Sequence, residues 1–241
     1  MNHDSYEQNI LELLASGTEI SVSVIAERLY VSEPTVRRHL TLLEKKGLIL
    51  RTHGGAILNN QNSPLYLRIP NAKEEKKHLA ESAVKLLSNG NIIFLDGSST
   101  ALYLVPLLKK FSTLLVATNS LKTSIALTEL NIENIMLGGK VNLSDFTCTD
   151  QEAISSLRKI NADYFLFSCS ALSEDGLLSD NSRDHCFFCT ECMHYAKNSV
   201  LLIDDSKLNK TARYNICSLN EIEYCLCNIP LPNHLSPSKS N

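Results

Sequence analysis

The chain is predicted to fold as two units within the α/β class: a small helical unit closed by a β-hairpin, then a larger, mainly parallel sheet with helices on both faces. Three observations predict this. Residues 20–58 read as two helical repeats separated by a turn and followed by a glycine-punctuated hairpin. Beyond them, short runs that are apolar on both faces alternate with helical stretches, which is how the strands of a buried parallel sheet read. Finally, 241 residues exceed one ordinary domain, and 44% apolar content supplies a core for each of two.

In the first unit, Ile20, Val24, Ile25 and Leu29 recur at helical spacing around Ser21, whose hydroxyl is suited to cap the first free amides. Ser32 is the cap expected for the next helix, Pro34 falls in its first turn, and Val36, Leu40 and Leu43 form its apolar stripe. Gly47 stops that helix, and Leu48 to Ala56 read as a hairpin closed by Gly54 and Gly55. Helix, tight turn, helix and β-wing in this order make a winged helix-turn-helix, a reader of the DNA groove. The amino-terminal end of its second helix faces base edges and phosphates. Thr35, Arg37, Arg38 and His39 fall outside the stripe there, and with Ser32 and the wing residues Arg51 and His53 they are the candidate DNA contacts. The net charge of −3 announces no nucleic acid, but the charge is patterned. Arg37, Arg38, Lys45, Lys46 and Arg51 stand against Glu44 alone, whereas Arg28 is the single Lys or Arg of residues 1–36.

Residues 6–58 closely resemble the DNA-binding domain of DeoR-type bacterial transcriptional regulators. The matching pieces are Ile25-Ala26-Glu27-Arg28-Leu29, Val31-Ser32-Glu33, Thr35-Val36-Arg37-Arg38, Leu42-Leu43-Glu44, Gly47-Leu48-Ile49 and Arg51-Thr52-His53-Gly54-Gly55-Ala56. Members of that family usually carry Asp where this chain has His39.

A polar stretch at 59–64 leaves the wing, and a helix is expected over 76–87, with Leu79, Ala83, Leu86 and Leu87 on one face and a stop at Asn89-Gly90. Strands are expected at 92–95, 114–117, 134–137, 164–167, 200–203 and 224–227. In such folds a ligand sits at the carboxyl ends of the strands. The first strand runs into Asp96-Gly97-Ser98-Ser99-Thr100 at the start of a helix, where a sharp turn, hydroxyl donors and free amides suit an anion. Thr118-Asn119, Gly138-Gly139 and, after the fifth strand, Lys207 are expected to converge on the same edge. Pro106, well inside the helix that follows the loop, should shorten or kink it by removing an amide donor and clashing with Leu102.

The resemblance continues through residues 68–232, which look like the sensor domain of the same family, a domain that shares its fold with ribose-5-phosphate isomerase. The similar motifs are Leu95-Asp96-Gly97-Ser98-Ser99-Thr100, Thr118-Asn119-Ser120, Leu137-Gly138-Gly139 and Leu201-Leu202-Ile203-Asp204-Asp205-Ser206-Lys207. This resemblance implies a repressor of a carbohydrate-metabolism operon that binds operator DNA as a dimer or tetramer and is released by a phosphorylated sugar, with no cofactor. Two departures stand out. The family usually has a glycine-bearing turn where this chain reads Ser168-Cys169-Ser170-Ala171-Leu172, and a basic residue in the region of Cys189-Thr190-Glu191-Cys192, where it has none.

Two other functions compete. Cys186, Cys189 and Cys192, with His185 and His194 nearby, have a spacing that suits a metal or redox sensor. The run falls in a predicted helix, however, where steps of three keep thiols on one face as small apolar packing groups, and no fourth ligand is evident. Cys225 and Cys227, two apart on a strand, share a face and also read as packing. A sugar-phosphate isomerase would need carboxylates in the turn at 169–172; Glu174 and Asp175 come later, beside Gly176, where a turn explains them. The polar start at residues 1–9 and apolar runs far short of the ~20 residues that span a bilayer predict a cytoplasmic protein. The expected division is 1–58 for DNA binding, 59–75 as linker, 76–232 as sensor and 233–241 as a loose tail.

Overall fold

A computed structural model describes residues 3–15, 18–59, 64–232, 234, 235 and 237. The chain divides into two compact units, residues 1–73 and 74–241.

The first unit runs α1 (His3–Leu14), β1 (Ile20–Ser21), α2 (Val22–Leu29), α3 (Glu33–Lys45), β2 (Ile49–Arg51), β3 (Gly55–Leu58) and α4 (Leu65–Arg68). Its core joins Ile10 and Leu14 of α1, Ile25 of α2, and Val36, Leu40 and Leu43 of α3 to Ile49, Ala56 and Leu58 of the wing. Ser21 caps α2 by accepting from the Val24 amide at 3.3 Å. Gly47, at φ 69°, turns the chain out of α3 as its sequence position demands. The wing strands pair antiparallel, and β1 joins them as a third strand beside β3. Gly55 is required at that seam, because a β-carbon there would lie 2.2 Å from the Ile20 carbonyl oxygen. The expected linker is not all linker: Leu65 and Leu67 of α4 are buried, and Leu67 packs into the core of this unit. Residues 60–63 lie outside the described part.

The second unit follows as α5 (Lys73–Ala83), β4 (Ile92–Leu95), α6 (Ser99–Leu102), α7 (Val105–Leu108), β5 (Leu115–Thr118), α8 (Leu121–Glu129), β6 (Asn134–Met136), β7 (Val141–Asn142), β8 (Thr147–Cys148), α9 (Gln151–Leu157), β9 (Ala162–Phe167), β10 (Ala171–Leu172), β11 (Leu177–Asp180), α10 (Arg183–His194), β12 (Ala196–Ile203), β13 (Tyr214–Ser218) and β14 (Tyr224–Cys227). Six strands form one parallel sheet in the order β14-β12-β9-β4-β5-β6. Alternate residues feed two separate cores. Phe94, Phe165, Phe167 and Leu201 face one side with α9 and α10, while Ile93, Leu95, Leu166 and Val200 face the other with α5 to α8. This double burial is why the inner strands read as apolar on both faces.

Pro106 lies in the first turn of α7, and the helix after the β4 loop is accordingly split into α6 and α7. The antiparallel sheet β10-β11-β13 and the β7-β8 hairpin were not anticipated; their strands of two to five residues are too short to show a period. The expected loose tail is anchored at Leu235, which is buried in the core beside Gly176 and Leu219.

The order of the sheet fixes its topological switch point. From β4 the chain moves outward to β5 and β6, then returns to β9 on the other side and moves outward again to β12 and β14. The neighbours β4 and β9 therefore send their connections in opposite directions. In open α/β sheets, ligands bind at such a switch point, at the carboxyl ends of the two strands.

Candidate nucleic-acid interface and ligand site

On α3, Arg37 and Arg38 are exposed one turn into the helix, and Pro34 occupies the first turn. Arg37 reaches back to Glu33 at 3.0 Å, an exposed pair of the kind that adds little to stability and is readily exchanged for a phosphate. Ser32 stands at the cap position, but its hydroxyl meets that of Thr35 at 2.9 Å and makes no cap bond to the backbone. His53 is exposed in the wing turn, and Arg51 is partly buried with its Nε unpartnered.

His39 corrects the expectation of an exposed reader. It is 1% exposed, its ring 5.7 Å from that of Tyr6 and its Nδ1 3.9 Å from the Glu7 carboxylate. The reason is its helical position: 39 is three after Val36 and four before Leu43, so it shares their buried face.

In the second unit the switch point is polar and closed by the protein's own bonds. Asp96, the residue after β4, is fully buried and accepts from the Ser98 amide at 3.1 Å, the Ser98 hydroxyl at 2.7 Å and, across the switch, the Ser168 amide at 3.1 Å. Burial pushes its carboxyl above the usual range, and the opposing influences of His185, Ser98 and the Ser168 amide do not outweigh it. Lys207 donates to the Ser168 hydroxyl at 2.7 Å and lies 3.6 Å from Asp204. Burial works against the Asp204 charge, yet Lys207 and the Ser206 hydroxyl hold that carboxyl below its usual range.

Register places Leu95 beside Thr118, so Asn119 stands next to Asp96 at the sheet edge. Thr118 accepts from the Ser120 amide, and Ser120 caps α8 through the Thr123 amide. The Asn119 side chain alone in this turn has no such task. It is 0% exposed, and neither its carbonyl oxygen nor its amide nitrogen has a hydrogen-bond partner. The Thr100 hydroxyl, likewise buried, has none either. The β7-β8 hairpin lies against this turn: the Cys148 amide donates to the backbone carbonyl of Asn119, and Thr147 occupies the space a side chain at Gly97 would need.

The structure brings together only part of the expected ligand set. Asp96, Gly97, Ser99, Thr100 and Asn119 lie on the adjacent ends of β4 and β5, and Lys207 reaches in from β12 through Ser168. Ser98 has its hydroxyl engaged twice, donating to Asp96 and accepting from the Ala101 amide. Gly138 and Gly139 follow β6, two strands beyond β4, hence ~10 Å from Asp96 and ~19 Å from β12 at the usual strand spacing. Both are exposed, and Gly139 backs onto Asp150, which accepts from the Lys140 amide and caps α9. They do not meet Lys207 on one phosphate.

Sequence reasoning missed three participants. His185, on the first turn of α10, sits 3.3 Å from the Ser168 carbonyl and 3.9 Å from Asp96, in the place where the Cys189 region offered no basic residue. Ser168 bridges Asp96 and Lys207. Asp180 accepts from the Ser170 hydroxyl and the Ser182 amide. The available signal was Asn181-Ser182 ahead of an acidic first turn, which caps α10 and so aims its first residues at the sheet edge.

The cysteine run lies on α10, with Cys189 and Cys192 in the core against β9 and β12 and the Cys186 thiol donating to the Tyr214 carbonyl. Burial pushes the Cys186 thiol up to about 11 and those of Cys189 and Cys192 well above the ordinary range. Cys225 and Cys227 pack against the same core. Attack on an electrophile needs the thiolate. In folded protein at pH 8 these three thiols of α10 will therefore resist iodoacetamide, and all will react once the chain is unfolded. Mass spectrometry of the alkylated peptides reads the difference, and rapid native labelling of Cys189 or Cys192 would contradict this placement.

Comparison with known proteins locates both units. The model of the DeoR-like helix-turn-helix domain matches residues 7–62, and that of the DeoR C-terminal sensor domain matches residues 71–227. The L-fucose operon activator of Escherichia coli K12 is 31% identical over 226 residues, covering 91% of this chain and 93% of its own length. The glycerol-3-phosphate regulon repressor of the same organism is 25% identical over 235 residues, covering 96% and 93%. Among solved structures, ribose 5-phosphate isomerase A of Methanocaldococcus jannaschii aligns at 19% identity with a TM-score of 0.43, covering 56% of this chain and 54% of the other.

Proposed function

The chain belongs to the DeoR family of DNA-binding transcriptional regulators, and we propose that it is a cytoplasmic repressor of a carbohydrate-metabolism operon, released from its operator by a phosphorylated sugar. The observation that carries the effector half of this reading is Asn119, a buried carboxamide with an unused donor and an unused acceptor beside the carboxylate of Asp96. Burying such a group without partners costs free energy, and a ligand hydroxyl answers both needs at once. A carboxamide and a carboxylate at neighbouring register positions suit a polyol. The phosphate then belongs on the amides of Gly97, Ser99 and Thr100 and the hydroxyls of Ser99 and Thr100, since Ser98 is held by Asp96 and Ala101, with Lys207 supplying charge, and Asp96 at the sugar end, because its carboxylate would repel a phosphate.

An effector that releases DNA must favour the conformation that binds DNA poorly, since equal affinity for two states shifts neither. The β7-β8 hairpin bonds the Asn119 backbone through the Cys148 amide and packs Thr147 over Gly97, so it is the element that we infer a ligand would reposition. The name of one relative says activator and of another repressor; repression is preferred because release by a metabolite of the induced pathway needs no further component. DNA binding as a homodimer or tetramer follows the two-fold symmetry of operators.

A thermal-shift screen against phosphorylated sugars tests the reading. A true effector at a hundred times its Kd adds about 2.7 kcal/mol, which raises Tm by roughly 5–10 °C in a protein of this size. Ser99→Asp, which puts a negative charge where the phosphate sits, should abolish that shift and ligand-induced DNA release while leaving DNA binding without ligand intact. If Ser99→Asp still releases DNA at the wild-type ligand concentration, the phosphate site is elsewhere. In cells, loss of the protein should raise transcription from the promoter it occupies, and a fall would reverse the assignment to repression.

A further inference from the structure

The turn that feeds the recognition helix is built on a residue that strains it. Tyr30, the residue that closes α2, has φ 54° and ψ 45°, the left-handed region where glycine or asparagine is usual because a β-carbon crowds the backbone. Its backbone amide completes the cap by donating to the Ala26 and Glu27 carbonyls, a task that glycine would perform equally well. The side chain returns nothing to the fold, being 94% exposed. Phe146 provides the contrast: it is also left-handed, but its ring is half-buried and carries the Lys122 ammonium 4.7 Å from its centre. On either side of Tyr30, Leu29 and Val31 pack against the core of the first unit and pin the turn in place.

A strained backbone that holds an aromatic ring in solvent calls for a contact outside the chain. Position identifies the partner. Tyr30 lies between the end of α2 at Leu29 and the start of α3 at Glu33. In a helix-turn-helix the first helix crosses the DNA backbone and the second enters the major groove by its amino-terminal end, so the turn between them borders the phosphate wall of the groove. Tyrosine hydroxyls are among the groups that bond phosphate oxygens. We propose that Tyr30 is a DNA-backbone contact, its hydroxyl donating to a phosphate at the edge of the groove, held outward by a turn that the fold would keep more stably with glycine. The proposal is independent of the effector.

The experiment uses full-length Tyr30→Gly, Tyr30→Asn and Tyr30→Phe proteins, a duplex enriched from a random library by the wild-type protein, and an unrelated duplex. The first two variants should melt a few degrees above wild type, since the left-handed strain is relieved. Each should bind the selected duplex about tenfold more weakly, the value of one hydrogen bond to a charged acceptor. The same factor should be lost on the unrelated duplex, because a phosphate contact carries no sequence information. Tyr30→Phe should keep the wild-type melting temperature and share the loss of affinity. Affinities of the Gly and Asn variants within twofold of wild type would overturn the proposal. So would a loss confined to the selected duplex, which marks a loosened recognition helix, or wild-type binding by Tyr30→Phe.

Discussion

Replacing Arg37 and Arg38 together with alanine will abolish sequence-specific DNA binding in a protein that remains folded. Both side chains are exposed on α3, away from the buried face of Val36, His39, Leu40 and Leu43. What the fold loses is one exposed pair with Glu33, worth little, while alanine favours the helix. What the complex loses is larger. A bidentate arginine-base contact is worth ~1–3 kcal/mol, so two such contacts amount to a drop on the order of a hundredfold or more. Any arginine that grips a phosphate instead also takes about one unit off the salt slope. Titrations of a duplex selected by the wild-type protein, run at several salt concentrations, separate the two roles. A double variant with unchanged affinity and unchanged slope would place these residues outside the interface.

The reading frame of the fold was open in the sequence wherever one period dominated. The runs at 92–95 and 224–227 are strands with those bounds; the run expected at 114–117 is shifted by one residue, that at 134–137 loses one, and those at 164–167 and 200–203 are extended at their starts. Pro106 marked an interruption, and the helix expected to be shortened or kinked there is divided in two, with Pro106 in the first turn of the second. His39 was open too, since its offsets of three and four from Val36 and Leu43 put it on the buried face, but an imidazole beside two arginines invited the charged reading. Other features were closed to inspection. That Gly138 and Gly139 stand apart from Lys207 depends on strand order, and order is set by which pairs bury best across the whole sheet. That Ser98 is engaged while Asn119 is idle depends on hydrogen bonds from other segments, which no local motif records. The hairpin over the site comes from two strands of two residues each, below the length at which alternation carries information.

The idle amide makes the last expectation a test with two opposite signs. Asn119→Leu replaces a fully buried carboxamide that has no partner by an apolar group of similar size. Removing an unsatisfied buried polar group recovers a desolvation cost of ~1–3 kcal/mol, less whatever strain the extra bulk introduces. The free protein should therefore melt higher than wild type, by about 2–4 °C for each kcal/mol recovered. The response to a sugar phosphate should vanish in the same variant, because the ligand hydroxyl would now meet hydrocarbon and leave its own bonds unmade. Stability and function thus separate at one residue: a position retained for packing would lose stability on substitution, and one retained for a ligand would gain stability and lose the ligand. DNA binding without effector should be unchanged, since the substitution lies in the second unit. Should the leucine variant be destabilised, or respond to the effector as wild type does, Asn119 belongs to the scaffold and the hydroxyl end of the ligand is read by other groups.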